Sequence, residues 1–333
     1  MTQSLTDPLP LLTISIVHHD GLAMLRDCLK SLAQFPPGIP YEVLVVDNAS
    51  TDGAREMLAQ TYPHIRVICR EQRHGFGDNH NRAIEAARGK FLLLLNDDTL
   101  LTENALDELL QCAERNPNAA VVGAYLANAD GTLQPSCYKF PSPVRCIREN
   151  LLLTAAFPHS RIFGDYRAWR HDTEQEVDFV GGAAMLVRRE AIAQVGGFNE
   201  RFFMYAEETD WQYRMMRAGW QTVFCPTARI VHFGGRSTEA MPERQFVEFN
   251  RSQVLFMRLW YGNWGVFVQC AAMIFGSVLR LALWNVIGIV SPKRTVNARA
   301  NVAEWSRQLR WWSGFGSKSG LRELAEQSGG GQS

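Results

Sequence analysis

The chain has no CxxC pair, and its cysteines, Cys28, Cys69, Cys112, Cys137, Cys146, Cys225 and Cys270, are odd in number and scattered. That pattern argues against a disulfide framework and a zinc site and suits a reducing compartment. Net charge is also missing: Lys plus Arg and Asp plus Glu both number 34 in 333 residues, which removes any overall electrostatic case for nucleic acid. No GxxxxGK[ST] occurs, so there is no P-loop. After the first apolar run the chain reads His18-His19-Asp20-Gly21 where a dinucleotide-binding domain has GxGxxG, and Gly75-Phe76-Gly77 comes too late to serve. The N-terminal MTQSLTDPLP lacks a charged-then-apolar leader, so catalysis is expected in the cytoplasm. What remains, with 46% hydrophobic and 20% charged residues, is a folded globular protein.

The stretch 91–99, FLLLLNDDT, organises the rest. Five bulky apolar residues between Gly89 and Asn96 suit a strand covered on both faces inside a parallel sheet. Asn96, Asp97 and Asp98 then fall at its C-terminal end, where open α/β sheets bind ligands. They offer hard oxygen ligands for a divalent cation, and a cation there can hold a diphosphate that has no glycine cradle. An Asn-Asp-Asp-Thr turn also suits capping of the next helix. Strands are expected at 11–17, 41–46 and 65–69, and helices at 21–34, 54–60 and 79–88. This alternation predicts an α/β fold with a doubly wound, mostly parallel sheet and right-handed crossovers. Asp47, at the end of the second strand, suits a base N–H or a ribose hydroxyl, although an Asx turn explains Asp47 and Asp52 as well.

The blocks ISIVHHD, VVDNASTDG, RHGFGDNHN, LLLNDDT, GGAAMLVRRE, VGGFNERFFMYAEETDW and VHFGGRST, in this order, resemble the inverting glycosyltransferases of family 2. Within that family the chain is most similar to bacterial rhamnosyltransferase-type enzymes, over roughly residues 11–262. The resemblance implies a GT-A fold, a nucleotide-diphosphate sugar donor and a divalent metal, Mg²⁺ or Mn²⁺. It implies Glu208 as catalytic base; His18, Asp47, Gly75, Asn81 and Asp97 at the donor; and Asp98 and His232 at the metal. Thymidine-diphosphate rhamnose is the favoured donor at family level, and a glycan or polyprenyl-diphosphate-linked hydroxyl the acceptor. Four positions depart from the family pattern: Asn96 replaces the first Asp of the DxD-type motif, Glu208 an Asp, Arg73 an Asn and His80 the first of two Asn residues.

Further along, 128–178 is rich in Pro and Arg and weak in periodicity, and is expected to form an acceptor-side flap. Residues 181–187 read as a buried strand and 206–218 as a helix on which Asp210 and Arg214 pair. Glu207 and Glu208 open that helix, where adjacent acids suit both its dipole and general-base work. Residues 264–290 are long enough for a bilayer span, but Arg280 interrupts them. Gln269, Gly276, Ser277 and Arg280 share one arc, which favours a helix lying in the membrane interface or packed on the domain. Lys293, Arg294, Arg299, Arg307 and Arg310 with Trp305, Trp311 and Trp312 then suit anionic headgroups.

The expected organisation is a flexible 1–10, a nucleotide-sugar-binding half at 11–127, an acceptor-binding and catalytic half at 128–262, a membrane-associating helical extension at 263–327 and a disordered tail at 328–333. The expected protein is peripheral or monotopic at the inner face of the cell membrane, with homodimerisation left open. A sugar nucleotidyltransferase and a catalytically degenerate nucleotide-sugar-binding scaffold are the alternatives.

Overall fold

The computed structural model describes residues 10–160, 162–234, 242–290 and 295–314. These divide into two units, one within Met1–Phe140 and Trp169–Glu248, the other within Pro141–Ala168 and Phe249–Ser333. The expected flexible N-terminus and disordered tail lie outside the described residues, apart from Pro10.

In the first unit the predicted alternation is present: β1 (Leu12–His18), α1 (Leu22–Gln34), β2 (Tyr41–Asn48), α2 (Ala54–Thr61), β3 (Arg66–Arg70), α3 (Phe76–Ala86) and β4 (Phe91–Asn96). The strands pair in the order β3, β2, β1, β4, all parallel. Alternate residues Ile14 and Ile16, Val43 and Val45, and Leu93 and Leu95 share a core with Leu25, Cys28, Leu29 and Leu32 of α1, whose spacing is that of one helix face. All five apolar residues of β4 are buried, because β1 flanks it on one side and a later strand on the other.

Next come β5 (Thr99–Leu101), α4 (Ala105–Arg115), β6 (Ala119–Ala127), β7 (Leu133–Gln134) and β8 (Cys137–Tyr138). The chain enters the second unit through α5 (Pro143–Asn150) and α6 (Leu153–Ala156) and returns as β9 (Gln175–Val177), β10 (Phe179–Val180), β11 (Ala184–Arg188), α7 (Arg189–Val195), α8 (Glu207–Arg217) and β12 (Gln221–His232). β11 lies antiparallel between β4 and β6, β12 is parallel to β6, and β5 closes the far edge antiparallel to β12. The strand expected at 181–187 starts only at Ala184; Gly181, Gly182 and Ala183 instead bend over the sheet edge, where the Ala183 carbonyl accepts from Asn96 N at 2.9 Å. The stretch 128–178 is not one flap, because its middle belongs to the second unit and its two ends to the first.

The second unit also holds most of α9 (Pro242–Val290), whose backbone breaks at Gly262 with φ 64°, and α10 (Thr295–Trp312). It buries apolar side chains such as Val254, Phe256 and Met257, but α9 past Gly262 also buries polar ones and exposes large apolar ones. Gln269 and Ser277 are 5% and 0% exposed, whereas Trp264, Phe267 and Ile289 are 68%, 63% and 82% exposed. Arg280 donates to the carbonyls of Glu149 at 2.7 Å and Gly276 at 3.2 Å and sits 4.5 Å from the Trp305 ring, so its charge is satisfied within the unit. Of the aromatic residues expected at headgroups, Trp311 and Trp312 are instead buried, because they pack edge-to-face on each other. Lys293 and Arg294 lie outside the described residues.

Candidate functional site

Register in a parallel sheet decides which strand ends share an edge. His18 pairs opposite Asp47 and Val17 opposite Asn96, so the polar ends of β1, β2 and β4 emerge together. β12 arrives antiparallel to β5 and sets His232 opposite Thr99, one residue past Asp98, with Phe233 N donating to Asp98 O at 3.0 Å. These ends border a cavity of about 530 Å³. Of the expected site residues, Gly75, Asp97, Asp98, Glu208 and His232 line it, while His18, Asp47 and Asn81 stand behind the lining.

Of these three, His18 holds a wall residue directly, and Asp47 and Asn81 brace turns next to it. His18, fully buried, faces Asp97 Oδ2 with Nδ1 at 2.6 Å and Asp52 Oδ2 with Nε2 at 3.2 Å. Burial pulls its pKa down, but the two carboxylates outweigh that and raise it above 6.5. Asp47, also fully buried, accepts from Ser50 N at 3.3 Å and is ion-paired to Arg55, which leaves none of its surface toward the cavity. Asn81 accepts from Phe198 N at 2.7 Å and donates to Phe198 O and Glu200 Oε1, both at 3.0 Å, pinning the turn that leads to α8. His80 bonds Ser15 and packs on Phe76 and Phe198, and burial lowers its pKa to about 3, so it is a neutral core residue. Arg73, the other departure near it, does line the cavity.

Asp98 and His232 fit a divalent cation. His232 Nδ1 lies 2.6 Å from Gln134 Oε1, and Gln134 is oriented by its Nε2 donating to Asn128 Oδ1 at 3.2 Å. Nδ1 therefore carries the proton, and Nε2, which accepts from Asn96 Nδ2 at 3.3 Å, lies 3.2 Å from Asp98 Oδ1. That buried Oδ1 accepts no hydrogen bond, so a cation placed beside it and Nε2 would satisfy it. The Gln134 contact is the support that metal-ligating imidazoles usually have. Among the described residues no group of three or more His, Cys, Asp or Glu side chains is arranged to hold a metal ion, so further coordination would fall to water and phosphate.

Glu207 and Glu208 enter the same cavity from the start of α8. Tyr205 and Ala206, just before them, have φ of 67° and 63°, backbone that side-chain-bearing residues rarely adopt and that aims the first turn inward. Neither acid makes an ion pair among the described residues, and Glu207 Oε2 and Glu208 Oε2 are buried without hydrogen-bond partners. Burial raises both pKa values above 4.5; the N–H groups of Glu208 and Thr209 oppose this for Glu208, and the neighbouring Glu208 raises Glu207 further. Asp210 and Arg214 pair at 2.9 Å, as the i, i+4 spacing predicts, and Arg214 also donates to Val195 O and Gly197 O, both at 2.6 Å.

Sequence reasoning missed Gln134 and Asn79. Gln134 sits in a stretch without periodicity, and only its contact with His232 marks it. Asn79 is fully buried at the cavity wall, its Nδ2 spent on His74 O and Gly75 O at 3.3 and 2.9 Å and its Oδ1 unpartnered. The loop 235–238, Gly-Arg-Ser-Thr, lies outside the described residues.

Residues 13–196 match the family described as "Glycosyl transferase family 2", a span that holds β1 to β4 and their acidic ends. The N-acetylglucosaminyl-diphospho-decaprenol L-rhamnosyltransferase of Mycobacterium tuberculosis is 32% identical over 237 residues, 68% of this chain and 77% of that protein. Rhamnosyltransferase WbbL of Escherichia coli is 24% identical over 216 residues, 62% of this chain and 78% of that one. Among solved structures, GalNAc-T7 with UDP, GalNAc and Mn²⁺ superimposes with TM-score 0.57 at 13% identity over 80% of this chain and 51% of its own. Mannosyltransferase PcManGT of Pyrobaculum calidifontis with GDP-Man and Mn²⁺ gives 0.52 at 17% over 92% and 91%. At such identities these two likenesses speak for the fold alone, which is the GT-A-like fold expected; the sequence match across the parallel strands and their acidic ends decides the rest, and the chain belongs to glycosyl transferase family 2.

Proposed function

We propose that this glycosyltransferase is an inverting enzyme that moves L-rhamnose from thymidine-diphosphate rhamnose to a hydroxyl of a polyprenyl-diphosphate-linked glycan, at the cytoplasmic face of a membrane. The acceptor oxygen forms its bond to the anomeric carbon as the bond from that carbon to the diphosphate oxygen breaks. The acceptor's proton passes to Glu208, and the nucleoside diphosphate departs with the electron pair. One observation carries this reading: Glu208 and the Asp98–His232 pair face a single cavity at the C-terminal edge of the parallel strands. Asp98 and His232 would hold Mn²⁺ or Mg²⁺, which when bound offsets negative charge on the leaving diphosphate. Asp97 and Gly75 serve the donor from the wall, and His18, Asp47 and Asn81 serve it by holding that wall. The 32% identity to a decaprenol-linked rhamnosyltransferase supports the sugar and the lipid acceptor. The outward apolar face of α9 supports membrane docking, since exposed apolar surface on this scale marks an interaction site.

The test is nucleoside diphosphate release from a donor panel with Mn²⁺ and an N-acetylglucosaminyl-diphosphate lipid. Release from thymidine-diphosphate rhamnose above all other donors is expected. Pyrophosphate release, or no turnover with any donor, contradicts the reading.

A further inference from the structure

Two carboxylates on successive residues, each with a buried, unpartnered Oε2 and neither ion-paired among the described residues, cannot both stay ionised in one cavity. Their surroundings separate them. Glu208 is the more open and has the N–H groups of Glu208 and Thr209 beside it, whereas Glu207 has only its own N–H and is 5% exposed. The base is therefore Glu208, and Glu207 is left with an unpartnered Oε2 and no proton-transfer task. We propose that Glu207 binds the acceptor sugar, through a hydroxyl adjacent to the one that Glu208 deprotonates.

Burial raises the Glu207 carboxyl well above its ordinary range, with Glu208 adding to the shift, which favours the neutral acid, a form able both to donate to a hydroxyl and to accept from it. The other titratable or charged groups at the cavity include Tyr205, Arg73, His74, Asp97, Asp98 and His232, and no ion pair joins any of them to Glu207. His74 is already committed to Asp78 at 2.6 Å, and His232 to Gln134 and Asn96. Asn79 supplies an independent sign that the occupant is a polyol. Its amide is held by the Nδ2 contacts so that an unfilled acceptor, Oδ1, remains in the same wall. A sugar with neighbouring hydroxyls satisfies such a set, and an apolar ligand leaves every member stranded. The chemical class is thus a pyranoside acceptor with a vicinal diol.

The inference rests on the glycosyl-transfer reading with Glu208 as base, and one experiment separates the two. Glu207→Ala, Glu207→Gln and Glu208→Gln are assayed on the acceptor and on its monodeoxy analogues. For one analogue the wild-type enzyme should lose about tenfold in kcat/KM. Glu207→Ala should lose about the same on the full acceptor and nothing further on that analogue, the signature of a shared contact. Glu207→Gln, which keeps a donor and an acceptor, should stay within about threefold of wild type, while Glu208→Gln loses kcat by about 10²-fold or more. Multiplicative losses for Glu207→Ala on every analogue, or a Glu207→Gln enzyme as impaired in kcat as Glu208→Gln, overturn the assignment. Wild-type enzyme that turns over no acceptor removes the reading beneath it.

Discussion

His18 Nδ1 lies 2.6 Å from Asp97 Oδ2, so a cavity-lining carboxylate is held from behind by a fully buried imidazole. The other ring nitrogen faces Asp52 Oδ2 at 3.2 Å. A neutral ring has one N–H for two acceptors, which calls for the imidazolium; burial works against both ions, raising Asp97 as well, and for His18 the two carboxylates prevail.

Replacing His18 by Gln should cost about 1–3 kcal/mol, because it leaves the half-buried Asp97 and Asp52 carboxylates without their charged partner. Since the folded His18 pKa is raised above 6.5, its contribution is fully present below that value and lost as pH rises through the folded pKa. Urea unfolding at about pH 6 and about pH 9 should therefore show a larger gap between wild type and variant at the lower pH. An equal gap at both contradicts the charged state.

Gln134→Leu removes the acceptor that fixes the His232 tautomer while leaving Asp98 and His232 in place. Affinity for Mn²⁺, measured calorimetrically with nucleoside diphosphate present, should fall about 10- to 100-fold. Unchanged affinity would show that His232 is not a ligand.

Gly75→Ala places a Cβ 2.4 Å from the Phe203 carbonyl oxygen, which cannot yield without moving the backbone of the cavity wall. A loss of about 1–3 kcal/mol in stability and a raised donor KM are expected. Donor KM at the wild-type value would show that this wall does not shape the donor site.

Arg280→Leu strips the Glu149 carbonyl of its donor and should destabilise the second unit by about 1–3 kcal/mol, read by thermal unfolding. Serine at Trp264, Phe267 and Ile289 together should instead leave unfolding nearly unchanged and abolish flotation with anionic vesicles. Flotation that survives all three changes places the membrane contact elsewhere.

The parallel half was legible because its strands and helices write their periods plainly: five buried apolar residues ending in Asn96-Asp97-Asp98 admit few other readings. The family resemblance also pointed to residues after β4, on α8 and at the end of β12 that meet at one cavity, though 110 residues or more separate Asp98 from Glu208 and His232. Side-chain direction was not legible. Asp47 and Asp97 both end strands, yet Arg55 and Ser50 occupy the first and the cavity receives the second. Nor does the arc of Gln269, Ser277 and Arg280 tell by itself whether it faces water or protein; Asn150 and Glu149, far off in sequence, turn it inward. Gln134 carries no pattern at all, since its role depends on one contact across the fold.

Glu208→Gln tests the central claim most directly, with donor affinity and turnover measured on the same protein. Its Oε2 is buried in the cavity and its pKa is raised, as a base near neutral pH requires, and the amide keeps its size while removing its basicity. Donor dissociation constant within about twofold of wild type and kcat lower by about 10²–10⁴-fold are expected. Donor binding lost while kcat at saturation is retained would contradict the account, because Glu208 would then be a donor contact and the acceptor's proton would go elsewhere.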